Sequence, residues 1–140
     1  MNLKYLLFAL GFFISVEIMP AMDGGLKNYQ CSKCATVVKS DHTPSSLYCR
    51  ASGGSHQWNN LGEVGMEVYS CKKCGTWLES KRTPSSLGCP AKGSHQWNHL
   101  GRSGNNTYQC RKCGLTINNE RTPSSLGCSN GGSHQWSKMN

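Results

Sequence analysis

Carboxylates are scarce in this chain: seven Asp and Glu stand against fifteen Lys and Arg in 140 residues, for a formal net charge of +8. Bulky apolar side chains are scarce as well. With 36 % hydrophobic residues, three Phe and sixteen Gly, a segment of about thirty residues cannot bury enough apolar surface to fold unaided, so metal or disulfide staples are needed. An even cysteine count is also missing. Nine cysteines cannot all pair within one chain, which tells against a disulfide framework. Helical periodicity is nearly absent after the first residues, leaving strand and loop.

What the chain does contain is one stretch three times over. Residues 69–97 read YSCKKCGTWLESKRTPSSLGCPAKGSHQW, and residues 29–58 and 108–136 are further copies. Their first cysteines, Cys31, Cys71 and Cys110, lie 40 and 39 residues apart, which is the signature of a tandem array. Each copy holds C-x2-C, fourteen residues, a third cysteine, and then a histidine after six residues in the first copy and five in the others. A structural zinc(II) takes four tetrahedral ligands, and a close C-x2-C pair supplies two of them from one turn. The expected ligand sets are Cys31, Cys34, Cys49 and His56; Cys71, Cys74, Cys89 and His95; and Cys110, Cys113, Cys128 and His134. Iron suits the same sulfur-rich geometry and is the alternative to zinc. His42 and His99 do not recur and are not counted as ligands.

At these residues the copies resemble the zinc-ribbon family. Cys71, Cys74 and Gly75 match its first knuckle, as do Cys110, Cys113 and Gly114; Ala35 replaces the glycine in the first copy. The second half departs, with C-x5-H or C-x6-H where the family carries another C-x2-C. The resemblance implies a small β-ribbon around one zinc, non-catalytic and used to bind nucleic acid or protein. TPSSL and GSHQW tie to no family of known function.

Within each copy short strands are expected on either side of the knuckle, at 69–70 and 76–79 in the second copy, with 35–39 and 115–118 as counterparts. Pro44, Pro84 and Pro123 mark a turn. Leu47, Leu87 and Leu126 follow as the expected apolar plug beneath the metal. Tyr29, Tyr69 and Tyr108, with Trp58, Trp97 and Trp136, are expected to pack as a miniature core. The ten-residue connectors 59–68 and 98–107 match each other at Leu61-Gly62 and Leu100-Gly101. Such a match suits either an arm that docks its leucine on the neighbouring module or a recent duplication; as flexible coil it would span about 17 to 19 Å.

Residues 1–22 form a different unit. Lys4, an apolar run over 5–16 and Glu17 follow signal-peptide architecture, and the run falls short of the roughly twenty residues of a spanning helix. The whole is read as small metal-stabilised all-β: three zinc-ribbon-like modules after a signal peptide or N-terminal anchor. Carboxylates do not recur, since Asp41 and Glu120 align with Lys81, so the copies share no general base and no enzyme is expected. Three thiolates and one zinc(II) carry −1 per site, which brings a fully metallated chain from +8 to about +5. That balance suits a macromolecular partner, polyanionic or protein, met by Lys33, Lys73 and Lys112 and by Arg82 and Arg121, and no small-molecule substrate. The expected location is secreted, periplasmic or cell envelope, with membrane contact only through 1–22 if these residues are kept. The alternatives are a cytoplasmic nucleic-acid- or protein-binding adaptor of the same build and a metal buffer.

Overall fold

The computed structural model describes residues 25–51 and 53–140, so the signal-like segment lies outside the described residues. Nine strands form three antiparallel sheets of three, and the described residues contain no helix. The first sheet joins β1 (Lys27–Cys31), β2 (Val37–Ser40) and β3 (Trp58–Glu63) in the order β2-β1-β3. The second joins β4 (Glu67–Cys71), β5 (Trp77–Ser80) and β6 (Trp97–Arg102), and the third β7 (Asn106–Cys110), β8 (Thr116–Asn119) and β9 (Trp136–Lys138), in the same arrangement.

In every sheet the first strand runs into the C-x2-C knuckle and the second leaves it. The knuckle is a tight turn in which the amide of Ala35, Gly75 or Gly114 donates to the carbonyl of Cys31, Cys71 or Cys110 at 2.9–3.0 Å. All three turn residues have positive φ, 62° at Ala35 against 72° and 74° at the glycines. An L side chain in this region is disfavoured by roughly 1–2 kcal/mol. Ala35→Gly is therefore expected to stabilise the first module by about 1 kcal/mol, after the entropy of the freer unfolded chain is allowed for; denaturant midpoints measure it.

The connectors are strands, not coil. Residues 59–63 complete β3 and pair with β1, and after a three-residue turn Glu67 opens β4. Residues 98–102 do the same between the second and third sheets. In both third strands the register slips by one residue: Asn28 faces Gly62 while Tyr29 faces Asn60, and Val68 faces Gly101 while Tyr69 faces His99. The residues skipped are Leu61 and Leu100. A bulge leaves its extra residue unpaired and bends the strand, and here both carbonyls freed by it receive a hydrogen bond from the following module. Ser85 N–H donates to Leu61 O, and Ser124 N–H to Leu100 O, each at 2.9 Å. Both leucines are fully buried, at 0 % and 1 % exposure. Leu100 packs with Val68 of its own module and Ile117 of the next, with Leu115 and Trp136 against them.

This corrects the expectation for Leu47, Leu87 and Leu126, which are 62 %, 67 % and 63 % exposed. The apolar positions between modules are taken by the bulged leucines, and the TPSSL leucine, its amide tied back to Ser45, Ser85 or Ser124 Oγ at 3.3 Å, is turned to solvent. The tyrosines do enter the core, with Tyr29, Tyr69 and Tyr108 buried.

The junctions repeat in detail. Lys81 N–H donates to Glu63 O and Glu120 N–H to Arg102 O, at 3.1 and 2.8 Å. Asn59 lies against Gly88 and Asn98 against Gly127, so closely that a Cβ on either glycine would come within 2.2 or 2.0 Å of the amide. In the first module the equivalent position is Tyr48, at a φ of 63° and 88 % exposed.

Candidate metal centres

Four elements build each centre. The knuckle supplies two sulfurs; the third cysteine stands at the base of a glycine-containing loop, its amide bonded to Gly54, Gly93 or Gly132 O at 2.8–3.2 Å; the histidine closes the set from the residue pair before the third strand. Cys31, Cys34, Cys49 and His56 are brought together, as are Cys71, Cys74, Cys89 and His95, and Cys110, Cys113, Cys128 and His134, with every potential ligand atom of a set within 4.8 Å of the others. All nine cysteines are free thiols. The first and third cysteines of each set are buried and the second is half-buried.

The fit to a tetrahedral cation can be tested on distance. With metal–sulfur bonds near 2.3 Å and metal–nitrogen bonds near 2.0–2.1 Å, tetrahedral geometry puts sulfur and nitrogen about 3.5 Å apart. The Nδ1 atoms of His56, His95 and His134 lie 3.4, 3.6 and 3.6 Å from the Sγ of Cys34, Cys74 and Cys113. The donor set therefore fits a borderline-soft divalent ion, and four protein ligands fill its coordination. The three clusters are thus consistent with metal binding.

Backbone dipoles prepare the first cysteine of each set. Burial raises its thiol pKa, but amides of the knuckle and of the residue after the histidine outweigh that. For Cys31 the Cys34 amide, the His56 ring and the Gln57 amide bring the value down to about 6. Cys110 also falls to about 6, through the amides of Cys113 and Gln135 and the His134 ring. Cys71 is lowered in the same way, and Gln96 and Gln135 N–H point at Cys71 and Cys110 Sγ at 3.4 Å. Cys74, by contrast, is pushed up to about 11, chiefly by burial. In the second module Cys71 thus gives up its proton more readily than Cys74, and a bound cation would take both as thiolates.

The TPSS and GSHQW motifs turn out to be two halves of one clamp. Ser46, Ser86 and Ser125 carbonyls accept the amide of the ligand histidine at 2.6–2.7 Å. Ser45, Ser85 and Ser124 carbonyls accept the indole Nε1–H of Trp58, Trp97 and Trp136 at 2.9–3.0 Å. Each tryptophan stacks on its ligand histidine, with centroids 4.5–4.6 Å apart and planes 21–24° from parallel. Each half-buried tryptophan is therefore also a lid that fixes the imidazole, and Trp136 keeps its expected place against the core. Identity of both motifs in all three copies was the available signal, and only the hydrogen bonds reveal that they act together.

The knuckle lysines are engaged without being neutralised. Lys33 Nζ donates to Ser55 O at 3.1 Å, Lys73 to Lys92 O and Ser94 O at 2.6 and 3.1 Å, and Lys112 to Gly131 O at 2.6 Å. They tie the knuckle to the loop beside the histidine, and the carbonyls they meet carry no counter-charge. His42 and His99 stand apart from the clusters, paired with Asp41 and Glu67. Comparison with protein-family models, curated proteins and solved structures gives no match for this chain.

Proposed function

We propose that this chain is an exported, non-catalytic protein in which three zinc ions are structural and the repeated modules present a basic surface to a macromolecular partner. The observation that carries this reading is closure: each cluster draws four protein ligands from a single module. Catalytic zinc keeps a position for water or substrate, and these sites reserve none. Burial of the first and third cysteines favours retained over exchangeable metal, which separates the reading from a buffering role. Export rests on the charge and apolar pattern of residues 1–22, and the basic surface on the fifteen Lys and Arg.

One measurement addresses metal and export together. A native mass spectrum of the mature chain is expected to show three zinc ions and a mass lacking an N-terminal leader. Cys89→Ser should lose one ion and leave the other two, because each cluster is self-contained. A metal-free chain carrying intramolecular disulfides would overturn the zinc reading, and an intact N-terminus on protein recovered from the cytosol would overturn export.

A further inference from the structure

Charge is sorted along the strands of every module. The described residues hold five carboxylates, Asp41, Glu63, Glu67, Glu79 and Glu120, and all lie toward the strand ends away from the knuckles. Each has a basic partner: Glu79, Glu63 and Glu120 form ion pairs with Lys39, Lys81 and Arg102, the first two at 2.8 Å, and Asp41 and Glu67 meet the rings of His42 and His99. At the metal end the picture reverses. The knuckles carry Lys33, Lys72, Lys73, Arg111 and Lys112, the loops before the histidines add Arg50 and Lys92, and neither contains a carboxylate.

Exposed apolar groups share that end. Leu47, Leu87 and Leu126 stand next to the serine carbonyls that hold the ligand histidines, and Tyr48 follows Leu47. Trp77, 39 % exposed, pairs with Ser70 beside the second knuckle. The metal ends of neighbouring modules adjoin: Asn98 meets Gly127, Gly75 faces Ser129, and Leu126 lines one groove with Lys72 and Lys73 of the preceding module. Leucine side chains exposed at the same place in three copies have no folding role here, since the junctions are filled by Leu61 and Leu100.

We infer that this edge is a membrane-docking surface, with the three TPSSL leucines entering the interface of an anionic lipid bilayer and the knuckle cations lying among its headgroups. It rests on the basic-surface reading above and names its partner. Cations alone would serve any polyanion. Protruding leucines interleaved with lysine, tyrosine and tryptophan suit a surface that is charged outside and apolar beneath. Each Lys or Arg near such a surface adds about 1 kcal/mol of attraction, and the leucines add the apolar contact that a nucleic acid does not reward.

The test uses the full metal-loaded chain and vesicles of phosphatidylcholine with or without phosphatidylglycerol. All four tryptophans lie at the metal end, so quenching of their emission by brominated lipid chains reports insertion of this edge whatever residues 1–22 do. Quenching and co-sedimentation on the anionic vesicles, weakened by salt, are expected. Combined Leu47→Ser, Leu87→Ser and Leu126→Ser should lower the anionic-vesicle partition about a hundredfold, with three metal ions retained and binding to soluble heparin unchanged. The proposal is overturned if the wild type shows no quenching, or if the triple variant matches it. Heparin binding in either of those cases would leave the basic edge as a plain polyanion surface, and loss of metal from the wild type would instead defeat the zinc reading.

Discussion

Stripping the metal from this chain with a high-affinity chelator is expected to unfold all three modules. Ordering a module of about thirty residues costs tens of kcal/mol in conformational entropy. Against that, the strands are only three to six residues long, and among the described residues the buried apolar ones, cysteines apart, are one tyrosine per module and Leu61, Val68, Leu78, Leu100 and Ile117. A structural zinc site of this kind supplies an apparent 10–16 kcal/mol near neutral pH, more than any other contribution visible here. The tryptophan lids make the event easy to follow, because the histidine under each indole is released with the ion. Circular dichroism should lose its thermal transition, and emission should shift red. A chain that keeps a cooperative transition with no metal bound would show that packing alone holds the sheets.

Leu100→Ala is expected to cost about 2–5 kcal/mol, the usual range for emptying a buried leucine site, and to hasten metal loss from the third module. The reason is position. Leu100 belongs to β6 but packs on Ile117 in β8, and its carbonyl accepts from Ser124 at 2.9 Å and from the Asn119 amide at 3.1 Å. The substitution therefore loosens a joint between modules while leaving every ligand in place. Leu126→Ala is the control: at 63 % exposure it should change stability by no more than about 0.5 kcal/mol. Denaturant midpoints for the two variants decide the matter, and equal values would mean that the modules do not support one another.

The contrast between these two leucines shows what the sequence made legible. The clusters were readable because chemistry fixes their spacing: C-x2-C forces a turn, and a third cysteine and a histidine recur to complete four, and the fold brings each four together. The strands beside the knuckle were readable because Val37, Val38, Trp77, Thr116 and Ile117 suit them, and they begin within two residues of the expected places. The third strands were not. Their sequences, WNNLGE and WNHLGR, carry Asn and Gly that ordinarily mark loops, and only pairing with β1 and β4, about thirty residues earlier, makes them strand. The matching Leu-Gly pairs of the connectors had offered docking on the neighbouring module as one of two readings, and Leu100 does pack on Ile117, but the bulge that turns Leu61 and Leu100 that way has no local signature. Without it, the leucine after the proline turn was the nearest apolar candidate for the plug.

The glycine at the junction also sets how such a chain can lengthen. An inserted copy of the second or third module brings its own Gly88 or Gly127, so the asparagine of whatever precedes it has a place to lie. The first module carries Tyr48 there, and another unit placed ahead of it would meet a phenol ring where it needs open space. Duplication of the second unit can thus lengthen the array from its middle, 39 or 40 residues at a time, because that unit carries both the glycine and the asparagine of the joint.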